Sequence, residues 1–285
     1  MSEALRRALA STLGREIVDL TRVPGGDINE AFRAQLSDGS LRFVKTRAGA
    51  PPEMYAREAE GLAWLAEVGA LRVPKVELAT REFLVLEWIE ARARARDFEE
   101  QLGRGLARVH QAGAPTFGLA RENFIGSLGQ SNRESASWPA FYWSERLKPL
   151  LARAGARGLL AGLLLLRFEE LRERLPELAG PDEPPSRLHG DLWSGNVHCD
   201  ERGAPVLIDP AVYGGHREMD LAMLSLFGSP SERLFRAYDE VYPRAPRAEQ
   251  RVALCQLYPL LVHVCLFGAS YVGQLKSRLE ETLSR

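Results

Sequence analysis

Three polar residues in one stretch of the chain could do chemistry together: Asp191, Asn196 and Asp209. They lie in His189-Gly190-Asp191-Leu192-Trp193-Ser194-Gly195-Asn196 and, downstream, in Pro205-Val206-Leu207-Ile208-Asp209-Pro210-Ala211. The first is a carboxylate in a loop, the second an amide five positions later, and the third a carboxylate that ends a short apolar strand. Phosphoryl transfer needs such a set. A charged base must sit beside the attacking hydroxyl, while oxygen ligands grip a Mg²⁺ that is itself bound to phosphates. Asp and Asn are common loop residues for local reasons, so either alone carries little weight. In this order and spacing they make Asp191 the candidate catalytic base and Asn196 and Asp209 the candidate metal ligands.

The phosphates also need a cation. Lys45 closes the apolar strand Leu41-Arg42-Phe43-Val44-Lys45, and a helix through Tyr55, Glu58, Leu62 and Leu65 follows it. A strand lysine oriented by a glutamate on the next helix is how kinases aim an ammonium at nucleotide phosphates. The plainer reading is a solvated strand end and a helix surface charge. The turn before, Pro24-Gly25-Gly26-Asp27-Ile28-Asn29, matches neither a Walker loop nor the kinase glycine-rich pattern, and glycine pairs mostly mark turns. Backbone amides of Gly25, Gly26, Asp27 and Ile28 could nevertheless cradle phosphate oxygens.

The elements that must position these residues follow from periodicity. Leu5, Leu9 and Leu13 predict an opening helix over residues 2–13. Alternation through residues 16–47 predicts three antiparallel strands, and residues 73–76 and 83–89 two more. That makes an α+β, bilobal arrangement: an N-terminal lobe over residues 1–89 with a five-stranded antiparallel sheet and a helix, and a mostly α-helical C-terminal lobe over residues 90–285. A nucleotide in the cleft between lobes would meet backbone groups around Glu87 and Trp88. Beyond residue 98 the pattern is helical, with residues 117–132 read as a polar loop and residues 158–175 as an apolar helix ending at Pro176. Asp220, at the start of a later helix, is expected to cap and support a loop. His110 reads as a helix-end residue favoured by the dipole.

Bulk properties narrow the class. The chain has 285 residues, 45% hydrophobic and 26% charged, which is ordinary for a globular protein. Its 37 basic against 38 acidic residues leave no global attraction to nucleic acid or an acidic membrane. Three cysteines at irregular spacing suit neither a disulfide framework nor a zinc site. The most apolar run, residues 159–166, is too short to span a bilayer. A cytoplasmic enzyme, plausibly monomeric, is the expectation.

The chain as a whole resembles the fructosamine kinase (ketosamine-3-kinase) family. The resemblance rests on residues 25–30, the Phe43-Val44-Lys45 strand, residues 123–132, 138–149 and 189–197, Asp209-Pro210-Ala211, and Gly215-His216-Arg217-Glu218-Met219-Asp220-Leu221-Ala222-Met223. It implies a fold similar to protein kinases and aminoglycoside phosphotransferases, with ATP and Mg²⁺ as cofactors. It further implies phosphorylation of a sugar amine, free or on a glycated protein or amino acid, at its 3-hydroxyl. Trp193, beside the base, would stack on the sugar or on its cationic amine, or would merely prop the loop. His216 and His263 would line the substrate, although a histidine set among Leu260, Leu261, Val262 and Val264 is more often a buried, hydrogen-bonded residue. Two departures stand out. Asp27 occupies a position where many relatives carry cysteine, so a redox switch is not expected there, and His263 lacks the polar neighbours usual in the family.

Rival readings are a kinase for another sugar, amino alcohol or aminoglycoside, and a pseudokinase that binds nucleotide without transfer. Loss of Lys45, Asp191, Asn196 or Asp209 would favour the pseudokinase, and all four are present. An aspartate-based hydrolase lacks a second carboxylate near Asp191 or a suitably spaced His pair.

Overall fold

The structure is a computed structural model that describes residues 2–24 and 28–285. The expected phosphate-cradling residues Gly25, Gly26 and Asp27 lie outside the described residues. The chain opens with α1 (Ser2–Leu13), then β1 (Ile17–Val23), β2 (Glu30–Leu36), β3 (Leu41–Thr46), α2 (Met54–Ala66), β4 (Val76–Ala79) and β5 (Phe83–Glu87). The five strands form one antiparallel sheet in the order β1-β2-β3-β5-β4.

Because side chains alternate across a strand, each face of this sheet gathers its own cover. Val44, Phe32, Ala34 and Val85 pack with Ile17 and Leu9 under α1, while Phe43, Leu84 and Leu86 pack with Tyr55 and Leu62 of α2. Lys45 is one position beyond Val44, so it shares the face of Phe43 and points at α2. The alternation that buries Val44 therefore delivers the ammonium to Glu58.

After an extended segment come α3 (Phe98–Gln111), β6 (Asn123–Ile125), β7 (Leu128–Gln130), α4 (Trp138–Phe141), a π-helical stretch (Tyr142–Leu147), α5 (Lys148–Ala156) and α6 (Leu163–Leu178). Then follow β8 (Ser186–Leu188), β9 (Val197–Cys199), β10 (Pro205–Leu207), β11 (Tyr213–Gly215), α7 (Glu218–Leu226), α8 (Glu232–Asp239), α9 (Ala248–Phe267) and α10 (Val272–Leu283). Helix α9 is apolar on nearly every face because it runs through the core of this region. It is long and apolar enough to cross a membrane, but most of its surface is covered by the rest of the protein.

Two local expectations are corrected. Residues 117–132 are not a plain loop: β6 and β7 form a hairpin whose Asn123 and Gln130 are buried. Helix α6 begins at Leu163, with Pro176 inside its last turn, and Leu163 and Leu166 are exposed, so the apolar run does not mark a buried face.

Arg72 ties the two regions together. Its Nη2 donates to Glu87 Oε1 at 2.6 Å, and its Nη1 to Asp200 Oδ2 at 3.1 Å and Glu201 Oε2 at 2.9 Å. Its carbonyl accepts the Leu207 amide at 2.9 Å. One residue thus joins β5 to the turn between β9 and β10. Burial works against the Asp200 charge, but the amides of Ala204 and Arg202, together with Arg72, outweigh it and hold the carboxyl below its ordinary range.

Candidate active site

Lys45 is 6% exposed and sits among carboxylates. Its Nζ lies 2.9 and 2.8 Å from the two Glu58 oxygens and 3.1 Å from Asp209 Oδ1. Burial alone would discharge the ammonium. The charges of Asp209 and Glu58 more than offset it, so the Lys45 pKa is raised and the residue stays cationic.

Asp209 follows β10 with φ at 54°, in the left-handed region that a short polar side chain tolerates better than most. This kink turns its carboxylate off the strand and toward Lys45. On the loop opposite, Asn196 Nδ2 donates to Asp191 O at 2.8 Å and to Asp191 Oδ2 at 3.1 Å. With its nitrogen committed to Asp191, the amide oxygen of Asn196 faces the other way. Burial raises the Asp191 pKa to about 7, the nearby Asp209 charge adds to the rise, and the Asn196 hydrogen bond opposes it.

The loop has its own frame. His189 is fully buried, with Nε2 placed to donate to Ile208 O at 2.9 Å and Nδ1 to accept the Asp191 amide at 3.3 Å. A neutral ring satisfies both bonds, and burial indeed lowers its pKa. Asp220 accepts the His189 amide at 2.8 Å and the Gly190 amide at 2.9 Å, and lies 3.2 Å from His110 Nε2. It therefore supports the loop from beneath, as its place in the sequence suggests. Burial opposes the Asp220 charge, but the His110 hydrogen bond and the neighbouring histidines and amide lower the pKa overall. Gly190 has φ at 84°, and a Cβ there would fall 2.0 Å from Ala211 O. Only glycine lets the two loop segments pass this closely.

A further set of residues was not legible as functional. Gln130 Nε2 donates to Ala211 O at 3.1 Å and Asn123 Nδ2 to Val212 O at 2.8 Å, so the hairpin holds the chain just past Asp209. Asn132 Nδ2 donates to Asn123 Oδ1 at 2.8 Å, and Arg146 Nη2 to Asn132 Oδ1 at 2.7 Å. Arg146 is wholly buried, with its guanidinium 3.8 Å from the Tyr213 ring centre. In the sequence they stand within residues 123–132 and 138–149, two stretches that carry the family resemblance, with nothing to assign them a role.

Other expected residues divide. Ile28 lies near Gly126 in the β6–β7 turn, where it would meet an added Cβ at 2.5 Å. The Glu87 amide donates to Lys75 O at 2.9 Å, and its carboxylate serves Arg72 and the Lys75 amide. Trp88 Nε1 donates to Glu90 at 2.9 Å. Trp193 is 38% exposed and its ring lies over its own loop, where a Cβ on Gly195 would meet it at 2.3 Å. His216 corrects the expectation of a substrate contact: it is 2% exposed, packed at 5.8 Å against the Trp138 ring and 3.7 Å from Glu183. His263 is half-buried, 2.7 Å from Pro259 O through Nδ1 and 4.5 Å from the Phe227 ring.

Lys45 thus joins Glu58 and Asp209, and the Asp191–Asn196 pair lies near enough for the Asp209 charge to act on Asp191. Among the described residues no three His, Cys, Asp or Glu side chains form a metal cage. An oxygen pair from Asn196 and Asp209 is what a phosphate-bound Mg²⁺ uses, since that ion takes few protein ligands and keeps phosphate and water.

The fold and this group of side chains define a phosphotransferase of the protein-kinase-like class. A choline kinase from Streptococcus pneumoniae, 17% identical, shares the fold with a TM-score of 0.65 over 100% of this chain and 99% of that one. A family model described as fructosamine kinase matches residues 1–285. The chain belongs to the fructosamine kinase family. A protein-ribulosamine 3-kinase of Arabidopsis thaliana, named as chloroplastic, is 35% identical over 292 residues, covering 99% of this chain and 89% of the relative. A crystal structure from Thermobifida fusca that carries the name fructosamine-3-kinase is 39% identical, with a TM-score of 0.92 and 99% of each chain covered.

Proposed function

We propose that this protein transfers the γ-phosphoryl group of ATP to the 3-hydroxyl of a ketosamine. The observation that carries the reading is the closed contact of Lys45 with both Glu58 and Asp209, set opposite the Asp191–Asn196 pair. The names carried by the Arabidopsis and Thermobifida relatives support the acceptor class.

Asn196 and Asp209 would hold Mg²⁺, which would supply positive charge to the phosphates and to the carboxylates around them. Lys45, aimed by Glu58, neutralises phosphate oxygens that stay with the leaving group. Ionised Asp191 accepts a hydrogen bond from the 3-hydroxyl and turns its oxygen toward the γ-phosphorus. As the new O–P bond forms, the bond to the bridging β,γ-oxygen breaks, ADP leaves, and the hydroxyl proton passes to Asp191. Little covalent work falls to the protein, so positioning and charge supply the rate. We take the acceptor to be a free sugar amine or a glycated amino acid or protein, and the enzyme to be cytoplasmic, with no nucleic-acid or membrane partner.

The test is Mg²⁺-dependent ATP consumption with fructosamine, ribulosamine and erythrulosamine derivatives, beside free sugars and aminoglycosides, with Asp191→Asn as control. Turnover confined to ketosamines and absent in the control is expected. ATP binding with no acceptor-dependent turnover would replace this reading with that of a pseudokinase.

A further inference from the structure

Asp209 holds a left-handed φ of 54°, a conformation that persists where the surroundings over-determine it. What holds it lies just downstream. Val212 O accepts from Asn123 Nδ2 at 2.8 Å and Ala211 O from Gln130 Nε2 at 3.1 Å, while the Ala211 amide donates to His189 O at 2.9 Å. The peptide past Asp209 is thus pinned to the β6–β7 hairpin on one side and to the base loop on the other.

An amide side chain holds a carbonyl only while its nitrogen faces it, and Asn and Gln can turn over. Arg146 removes that freedom. It is wholly buried, with its guanidinium 3.8 Å from the Tyr213 ring centre, 4.6 Å from Phe141 and 5.4 Å from Tyr258, and a guanidinium can only donate. Its Nη1 anchors the end of the hairpin at Ser131 O, 2.5 Å away, and its Nη2 donates to Asn132 Oδ1 at 2.7 Å. Asn132 Nδ2 must then face the other way, to Asn123 Oδ1 at 2.8 Å and Arg121 O at 3.1 Å. With its oxygen taken as an acceptor, Asn123 has its nitrogen left for Val212 O, and the same oxygen turns Gln130 Nε2 inward at 2.8 Å. Gln130 Oε1 is left to accept the Tyr258 hydroxyl. All three amides are buried, so reversing one would set donor against donor or acceptor against acceptor out of reach of solvent.

We propose that Arg146 is a positioning residue for phosphoryl transfer: through Asn132, Asn123 and Gln130 its charge fixes the direction of the bonds to Ala211 and Val212, and with them the kink that aims Asp209. This rests on the Mg²⁺ role given to Asp209 above. Being wholly buried, Arg146 acts only through this turn.

The experiment titrates Mg²⁺ into the full chain with ATP, reading nucleotide binding by calorimetry and, separately, acceptor turnover. Asn132→Asp keeps an oxygen for Arg146 but loses the donor to Asn123, whose nitrogen should turn to the new carboxylate and away from Val212. The free Mg²⁺ needed for half-saturation should rise at least about fivefold, while ATP binding in EDTA stays within about twofold of wild type. Arg146→Met should do the same, and Arg146→Lys, which keeps a donor, should recover most of the loss. Leu171→Ala hollows the same core without touching an amide; it should melt lower with an unchanged Mg²⁺ requirement. Should Arg146→Met fail to fold, Asn132→Asp decides alone. Relay variants that lose stability yet keep the wild-type Mg²⁺ requirement, or a Leu171→Ala that shifts it equally, would reduce Arg146 to a core buttress and overturn the proposal. A wild type whose ATP binding ignores Mg²⁺ would instead remove the metal role of Asp209, and this proposal with it.

Discussion

Replacing Asp191 with asparagine is expected to abolish turnover and to make the protein more stable. Burial and the Asp209 charge raise the Asp191 pKa from 3.8 to about 7, so the folded state resists ionising this group. Below pH 4 both folded and unfolded chains hold the proton and nothing is lost. Between about 4 and about 7 the unfolded chain releases it first, and stability falls until the folded group also ionises. At about 1.4 kcal/mol per pH unit the ceiling is about 4 kcal/mol, and partial solvent access at the loop brings the working figure to about 2 kcal/mol. Asparagine removes that loss and can still accept the Asn196 hydrogen bond. In EDTA at pH 8 the variant should melt roughly 3–7 °C above wild type, and the gap should close toward pH 4. Thermal melts across this range are the assay. A variant no more stable at pH 8, or a gap that widens in acid, would refute the account of the site as an excess of buried carboxylate.

Three other outcomes follow from the same geometry. Lys45→Met leaves Glu58 and Asp209 without their shared cation; unfolding experiments should show a loss of about 3–5 kcal/mol, and kcat/KM for ATP should drop at least about 100-fold. Gly190→Ala drives a Cβ to within 2.0 Å of Ala211 O at a left-handed φ, so calorimetry should find at least about 2 kcal/mol lost, together with activity. Arg72→Met cuts the tie among Glu87, Asp200 and Glu201; a rise in the ATP KM with only about 1–2 kcal/mol of destabilisation is expected, and an unchanged KM would show that the tie does not set the cleft.

What the sequence made legible was local or periodic. Lys45 could be placed because strand alternation decides which face it takes, and Asp191 and Asn196 because both lie on one loop. The β6–β7 hairpin escaped because its strands are three residues each, too short for alternation to register. Arg72 escaped because its partners Asp200 and Glu201 are 128 and 129 positions away, and nothing about a single arginine announces them. His216 misled for the opposite reason: it stands in a distinctive motif near the site residues, but tertiary packing turns it toward Trp138 and Glu183. The apolar run at residues 159–166 misled because its composition says nothing about what covers it.

Gly61 on α2 has no side chain to hold the helix away from the segment past Asp209: a Cβ there would stand 3.3 Å from Val212 and 3.5 Å from Pro210. Glycine here lets the helix carrying Glu58 seat closely on the segment just past Asp209. An outward swing of the helix of the kind that silences switchable kinases would have to break this seat as well as the Lys45 pair. Residue 61 is therefore the place where one added methyl group would ask the Glu58 helix and Val212 to give by a few tenths of an ångström.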